Sequence, residues 1–238
     1  MTIREMLRNS GIAVAVSVTL PCTGDAQTSR QDPTDTQAWY GAQVSANLPN
    51  GWESSLQYRA RYIGDASQFR GSYFTAGLEK KLSKHLALSG SYRLASVEAA
   101  TFHRIAAGSA VSGNVRELNW SLRALVQHQR KTFEDNDETS GESTTFLRTR
   151  LQLKRDITTR VSVYASTEPY FTFGADYPVD NWRNTIGTKF TLASGQKLDL
   201  FYIYRPDYAK AYNRAFHVIG TELDLSFKIR GQKKAKVK

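Results

Sequence analysis

The sequence predicts an all-β fold, a transmembrane antiparallel up-and-down β-barrel of about 12 strands (10 to 12). Three observations predict it. Apolar and polar side chains alternate with a period of two from residue 39 onward, which is typical of strands. Many of the alternating segments are long enough to cross a bilayer at a tilt, which takes about 9 to 11 residues. Short turns and longer polar connections follow one another along the chain, as they do in outer-membrane barrels.

The start of the chain is predicted to form an export signal, residues 1–26. A basic leader is followed by an apolar stretch over 11–20 and by a small-x-small cleavage site that ends at Ala26. That apolar stretch is the longest in the chain and is too short for a membrane-spanning helix, which needs about 20 residues. Cleavage near Ala26 would remove Cys22, the one cysteine, so we expect an exported chain without disulfides. A lipid anchor on Cys22 is the alternative, but Pro21 stands where such anchors carry a small residue.

Eleven segments of the remaining chain alternate in this way. In one of them Leu147, Leu151 and Leu153 point to one face, and Arg148 and Arg150 point to the other. The barrel is predicted over 39–229, between a polar linker at 27–38 and a basic tail at 230–238. The eleven segments are 39–48, 52–63, 72–82, 85–97, 101–112, 116–132, 144–156, 159–173, 180–193, 196–207 and 214–229.

The count of eleven conflicts with the even number of strands that is usual for a single-chain bacterial barrel. Three explanations remain open: residues 27–38 add a twelfth strand, they run through the interior, or one segment is miscounted. We expect the twelfth strand, although the polar composition of 27–38 and its Pro33 are typical of a linker. Periplasmic turns are predicted at 49–51, 83–85 and 194–196, and longer outer loops around 64–71, 133–143, 174–180 and 207–213.

Charged side chains share the strand face opposite to the apolar set. If the apolar face meets lipid, such charges are tolerable only in a polar interior, where they pair or meet water. A soluble secreted β-sandwich, whose apolar faces pack against each other, would show the same alternation and is an alternative. The predicted interior residues are Arg59, Arg61, Arg93, Arg123, Arg148, Arg150, Arg183, Arg205, Glu53, Glu168 and Glu222.

The predicted interior set carries an excess of positive charge. With Lys81, Lys154, Lys189, Glu79, Asp199 and Asp224 it contains eleven basic and six acidic groups. If every acid pairs, five positive charges remain. Inside a low-dielectric wall such a lining favours anions. The sequence therefore predicts a structural or binding barrel, or a narrow passage that prefers anions.

Aromatic residues cluster near the segment ends. In a barrel such residues form two girdles at the membrane interfaces. The predicted girdle residues are Trp39, Tyr40, Trp52, Tyr62, Tyr170, Phe171, Phe173, Trp182, Tyr202, Tyr204, Phe216 and Phe227.

No catalytic, metal or cofactor site is predicted. The four histidines do not have metal-ligand spacing with one another or with the cysteine. His103 could act as a general base with Asp176, Asp180 or Asp207 of the predicted outer loops. A rim hydrolase acting on lipid or peptide is therefore an alternative, but aspartate is an ordinary turn residue, and we expect no enzyme. The acidic run 134–138 lacks the glycine and the terminal glutamate that a calcium loop requires.

The net charge of +10 raises the question of nucleic-acid binding. The basic residues are spread singly over alternating strand positions, apart from the tail at 233–238, and no nucleic-acid-binding motif is present. We expect no nucleic-acid partner. The expected partners are outer-membrane lipid and lipopolysaccharide, with the basic tail near anionic phosphates of the inner leaflet.

The last segment resembles the C-terminal strand by which the barrel insertion machinery recognises bacterial outer-membrane proteins. It runs from His217 to Phe227, alternates apolar residues and ends on an aromatic one. The resemblance implies that this machinery is a partner.

Several short motifs resemble the family called domain of unknown function 2490. They cover about 37–229, and the family implies an outer-membrane barrel of Gram-negative bacteria but no activity. The motifs are Ala38-Trp39-Tyr40, Trp52 followed by Gln57-Tyr58-Arg59-Ala60-Arg61, Tyr92-Arg93, His103-Arg104, the strand from Arg148 to Lys154, and Asn181-Trp182-Arg183-Asn184.

Overall fold

A computed structural model describes residues 34–97, 100–134, 143–173, 179–192, 195–208 and 214–228. The predicted export signal, the basic tail at 230–238 and most of the acidic run 134–138 lie outside the described residues. A single turn of 3-10 helix, Pro49–Gly51, joins the first two strands. The strands are β1 (Thr34–Asn47), β2 (Trp52–Ile63), β3 (Gln68–Lys81), β4 (Leu86–Val97), β5 (Ala100–Val115), β6 (Leu118–Glu134), β7 (Ser143–Asp156), β8 (Val161–Thr172), β9 (Val179–Thr191), β10 (Lys197–Asp207) and β11 (Arg214–Lys228).

The eleven strands form one closed barrel in which consecutive strands pair antiparallel. The predicted all-β barrel is confirmed. The alternative of a β-sandwich is wrong, because the sheet closes on itself instead of stacking against a second sheet. Within the described ranges, no helix is long and apolar enough to cross a membrane.

The barrel closes through a parallel pair of strands, β1 and β11. Because the number of strands is odd, the first and last strands run in the same direction, and the prediction of antiparallel pairing throughout is corrected at this one pair. The expected twelfth strand is not needed, since β11 already supplies the second neighbour of β1. The ladder begins at Thr34 opposite Ala215, so residues 34–38 of the predicted linker belong to β1. There the backbone pairing with β11 overrides the polar composition of the segment.

The connections between strands lie at two ends of the barrel, which differ in the length of the connections they carry. At the short-turn end, where β5 passes into β6, Arg116 and Glu117 alone join the two strands. The other end, which we call the long-loop end, carries the connections at 135–142, 173–178 and 208–213. The long loop predicted around 64–71 is wrong, because β2 and β3 are joined by residues 64–67 alone. Gly64, Asp65 and Ala66 all have positive φ, which closes this turn tightly.

The outward face of the barrel is apolar. Leu56, Ile105 and Ile219 expose 67%, 62% and 62% of their surface, and other strands add similar residues. Soluble monomers rarely expose continuous apolar patches of this extent. The interior is polar instead, with Gln127, Arg148 and Glu168 among its buried side chains.

Small residues on the interior face make room for large neighbours. A Cβ atom built on Gly220 of β11 would lie 2.2 Å from the ring of Phe201, its cross-strand neighbour on β10. Phe201 in turn packs against Trp39, Ile203 and Val218, which form the one apolar cluster inside the barrel among the described residues. The glycine therefore leaves room for the Phe201 ring beside this cluster.

Gly220→Ala is expected to lower the free energy of unfolding by about 1 to 3 kcal/mol, because the added methyl group must displace the Phe201 ring. Gly90→Ala is the matched control, since a Cβ at this strand glycine meets no atom closer than 4.0 Å. Urea unfolding of the refolded barrel, followed by tryptophan fluorescence, measures both. Equal effects of the two substitutions would contradict the proposed close approach.

Candidate functional site

The barrel interior is the candidate functional site, because charged side chains from nine strands line its central cavity. Pairing register and alternation place the predicted interior residues as follows. Arg59, Arg93, Arg123, Arg148, Arg150, Arg183, Glu168 and Glu222 line a central cavity, Arg61 and Arg205 line a second cavity at the long-loop end, and Glu53 lies near the short-turn end.

The central cavity has a volume of about 410 Å³ and a strongly cationic lining. Seven arginines and Lys189 line it, against three carboxylates, those of Glu168, Asp199 and Glu222. Five positive charges are therefore in excess around one small cavity. Such an arrangement attracts anions because the apolar barrel wall screens the field only weakly.

Glu168 on β8 is the anionic centre of one side of the cavity. Its Oε1 atom accepts hydrogen bonds from Arg123 at 2.8 Å and from Arg148 at 3.0 Å. Arg148 also donates to Oε1 of Gln127 at 2.8 Å, and Gln127 is only 2% exposed. One buried carboxylate thus holds two guanidinium groups from neighbouring strands.

Two further carboxylates occupy the opposite side. Glu222 on β11 accepts hydrogen bonds from Arg59 and from the amide of Gln57, at 2.9 to 3.0 Å for the amide. Asp199 on β10 forms an ion pair with Lys189 at 3.3 Å and accepts a hydrogen bond from the Tyr164 hydroxyl at 3.1 Å. Each carboxylate of the cavity is therefore already engaged by a cation.

Four strands, β4 to β7, bring arginines next to arginines. Arg93 lies directly opposite Arg104, and Arg123 lies directly opposite Arg150. We call these residues together with Arg148 the arginine wall. Among the described residues, neither the Arg104 side chain nor the Arg150 side chain forms a hydrogen bond or an ion pair with a protein group.

Arg104 is the charged residue of the central cavity that the sequence did not predict. The segment 101–112 is rich in alanine and serine, so its apolar alternation is too weak to assign Arg104 to a face. The signal was Ile105, whose outward position fixes Arg104 on the interior face.

An aromatic and guanidinium stack separates the central cavity from the cavity at the long-loop end, which has a volume of about 530 Å³. The guanidinium of Arg61 lies 4.0 Å from the ring centres of both Trp39 and Tyr73. Trp39 lines the central cavity, and Arg61 and Tyr73 line the outer one. We call these three residues the Trp39 stack, and they form the boundary between the two cavities.

The structure corrects part of the predicted aromatic girdles. Trp39, Tyr170 and Phe216 point inward, because interior arginines stack on their rings. Arg148 and Arg183 lie 4.4 and 4.5 Å from the Tyr170 ring, and Arg205 lies 4.1 Å from the Phe216 ring. Six of the other predicted girdle residues are exposed on the barrel: Tyr40, Trp52, Phe173, Trp182, Tyr204 and Phe227.

The candidate hydrolase residues are not brought together. His103 points outward from β5, where its Nδ1 atom lies 2.6 Å from the hydroxyl of Tyr92. Asp207 points inward and binds Arg205, and Asp180 accepts a hydrogen bond from the amide of Asn181. Asp176 lies outside the described residues. In the part of the chain that the structure describes, no three His, Cys, Asp or Glu side chains form a metal-binding group.

Comparisons with known proteins identify the family. A solved structure titled "Bacterial polysaccharide outer membrane secretin" is similar with a TM-score of 0.45 and 7% sequence identity, over 71% of this chain and 73% of that one. A search of curated proteins found no match. The family model described as "Protein of unknown function (DUF2490)" matches residues 36–215, and the chain therefore belongs to the DUF2490 family.

Proposed function

We propose that this chain is a β-barrel of the bacterial outer membrane that passes small anions in preference to cations through a narrow interior. The cationic excess of the central cavity carries the proposal: seven arginines and a lysine face three carboxylates that are all already engaged. A free anion that enters the cavity is attracted by the excess positive charge, whereas a cation is repelled.

The outward face supports the membrane location. Contact of its exposed leucine and isoleucine side chains with water is unfavourable, whereas contact with the apolar chains of lipid is favourable. The strands are 11 to 17 residues long, which exceeds what a tilted crossing needs. The proposal includes export with cleavage near Ala26, contact with lipid and lipopolysaccharide, and no nucleic-acid partner.

The last strand supports insertion by the barrel machinery. On β11 the residues Leu223, Leu225 and Phe227 form an outward row at the end of the strand, which fits a surface that another protein can read. We also propose that the chain is not an enzyme. His103 and Asp207 lie on opposite faces of the barrel wall, which supports this part of the proposal.

Location and passage are tested on the same preparation. The chain is expected to sediment with outer membranes and to migrate differently on a denaturing gel before and after boiling. Recovery in the soluble periplasmic fraction would overturn the membrane location.

In planar bilayers under a salt gradient, the reversal potential is expected to have the sign of anion preference. Arg148→Gln with Arg150→Gln removes two interior charges and should reduce that preference. Arg155→Gln is the control, because Arg155 lies on the same strand but outside, in an exposed pair with Glu117. A cation-selective reversal potential, or no conductance at all, would overturn the proposed passage.

A further inference from the structure

The arginine wall places like charges directly against each other. Arg93 faces Arg104 across β4 and β5, and Arg123 faces Arg150 across β6 and β7. Like charges at directly opposite positions destabilise a sheet, and the effect grows where water is scarce. Two such pairs on adjoining strands are a cost that the fold itself does not explain.

The carboxylates available to this wall are too few to relieve the repulsion. Glu168 is the one acid that contacts it among the described residues, and it is shared by Arg123 and Arg148. Arg93 donates to the hydroxyl of Thr75 at 2.8 Å, which supplies no negative charge. The buried Nε atoms of Arg123 and Arg150 have no hydrogen-bond partner among the described residues. Donors and positive charge therefore remain unused on this side of the cavity.

The two pairs are parts of one surface. Both line the central cavity, but along the strands they lie six residues apart, because Arg104 faces Gln129 and Arg123 faces Ala110. The wall therefore offers two oxyanion positions, one between Arg93 and Arg104 and one between Arg123 and Arg150, in a space of about 410 Å³ that exceeds the volume of a single small ion.

From this arrangement we infer that the arginine wall binds phosphate-type oxyanions at these two positions, with Arg104 and Arg150 as the principal ligand-binding groups. A phosphate group carries nearly two negative charges at neutral pH and three acceptor oxygens, so it can accept from several guanidinium forks at once. A carboxylate has two oxygens, which one fork satisfies. The inference rests on the proposed access of anions to the interior.

The test uses the full mature chain, refolded in detergent micelles, and follows its thermal unfolding at constant ionic strength. Inorganic phosphate is expected to raise the unfolding midpoint, because a ligand that binds the folded state stabilises it. Glycerol phosphate is the second arm, and the tighter of the two binders tells whether the natural source is free phosphate or a phosphate ester. Equal effects of phosphate, succinate and chloride would overturn the inference.

Variants of the arginine wall are expected to raise the unfolding midpoint without phosphate and to weaken phosphate binding. Arg104→Gln and Arg150→Gln are expected to raise the midpoint without phosphate, since each removes one member of a like-charge pair. The same variants should bind phosphate about tenfold more weakly or worse. Arg155→Gln, on the outer face of β7, should change neither quantity. Full phosphate stabilisation in both wall variants would overturn the assignment of these two residues.

A second variant keeps the test valid if a glutamine variant does not refold. Arg104→Lys retains the charge and loses the planar fork, so phosphate binding should weaken while the midpoint without phosphate stays near that of the unmodified chain. Unweakened binding in Arg104→Lys would contradict a fork at this position. None of these experiments measures conductance, so they test phosphate binding separately from anion passage. A barrel that conducts anions but does not bind phosphate would contradict this inference alone. A barrel that binds phosphate but does not conduct would contradict the proposed passage alone.

Discussion

Glu168→Gln is expected to lower the free energy of unfolding by about 3 to 5 kcal/mol. The substitution keeps the shape of the side chain but removes the one carboxylate that binds both Arg123 and Arg148. Because the Glu168 side chain is only 9% exposed, water cannot replace the lost charge. Urea titration of the refolded barrel, read by the gel-mobility difference between folded and unfolded chains, measures the effect.

Glu117→Gln is the control for this prediction. Glu117 also pairs with an arginine, Arg155, but its side chain is 76% exposed. Exposed pairs contribute about 0 to 1 kcal/mol, so this variant should unfold almost as the unmodified chain does. A loss of similar size in both variants would show that Glu168 does not anchor the arginine wall.

Trp39→Ala is expected to open the boundary between the two cavities. The substitution removes a tryptophan that is 2% exposed and on which Arg61 stacks. Losing a buried tryptophan costs about 3 to 5 kcal/mol of stability. At the same time the single-channel conductance in planar bilayers should rise, because the Trp39 stack no longer fills the interior.

Two variants control for the general effect of losing a tryptophan. Trp182→Ala removes an outward residue and should leave conductance unchanged. Trp39→Phe keeps an aromatic face for Arg61 and should restore most of the boundary. If Trp39→Ala leaves the conductance as it was, the narrowest point of the interior lies elsewhere.

Much of the fold could be predicted because each strand carries its own pattern. The alternation of Leu151 and Leu153 with Arg148 and Arg150 depends on local sequence alone, and the strand has the same alternation in the structure. The start of β1 could not be predicted in this way. Residues 34–37 are polar, and in the structure they form a strand through pairing with β11, far along the chain.

The same limit applies to the candidate site: local sequence predicts some of its features and not others. Alternation alone assigns the arginines to a charged face, but it does not tell which of them meet. The shared contact of Arg123 and Arg148 with Glu168 depends on the register of three strands, and the position of Trp39 depends on the arginines that surround it. An aromatic residue near a strand end carries no local signal that separates an interface from an interior stack, so Trp39, Tyr170 and Phe216 were assigned wrongly.

The parallel contact between β1 and β11 bears on the order in which the strands are expected to pair. It joins side chains as far apart in the chain as Ser45 and Asp224, which are 179 residues from each other. Contacts of such separation form slowly, because the intervening chain must first be ordered. Until they form, β1 and β11 each keep a free edge whose backbone groups lack strand partners. We therefore expect closure to come last, after the nine intermediate strands have paired.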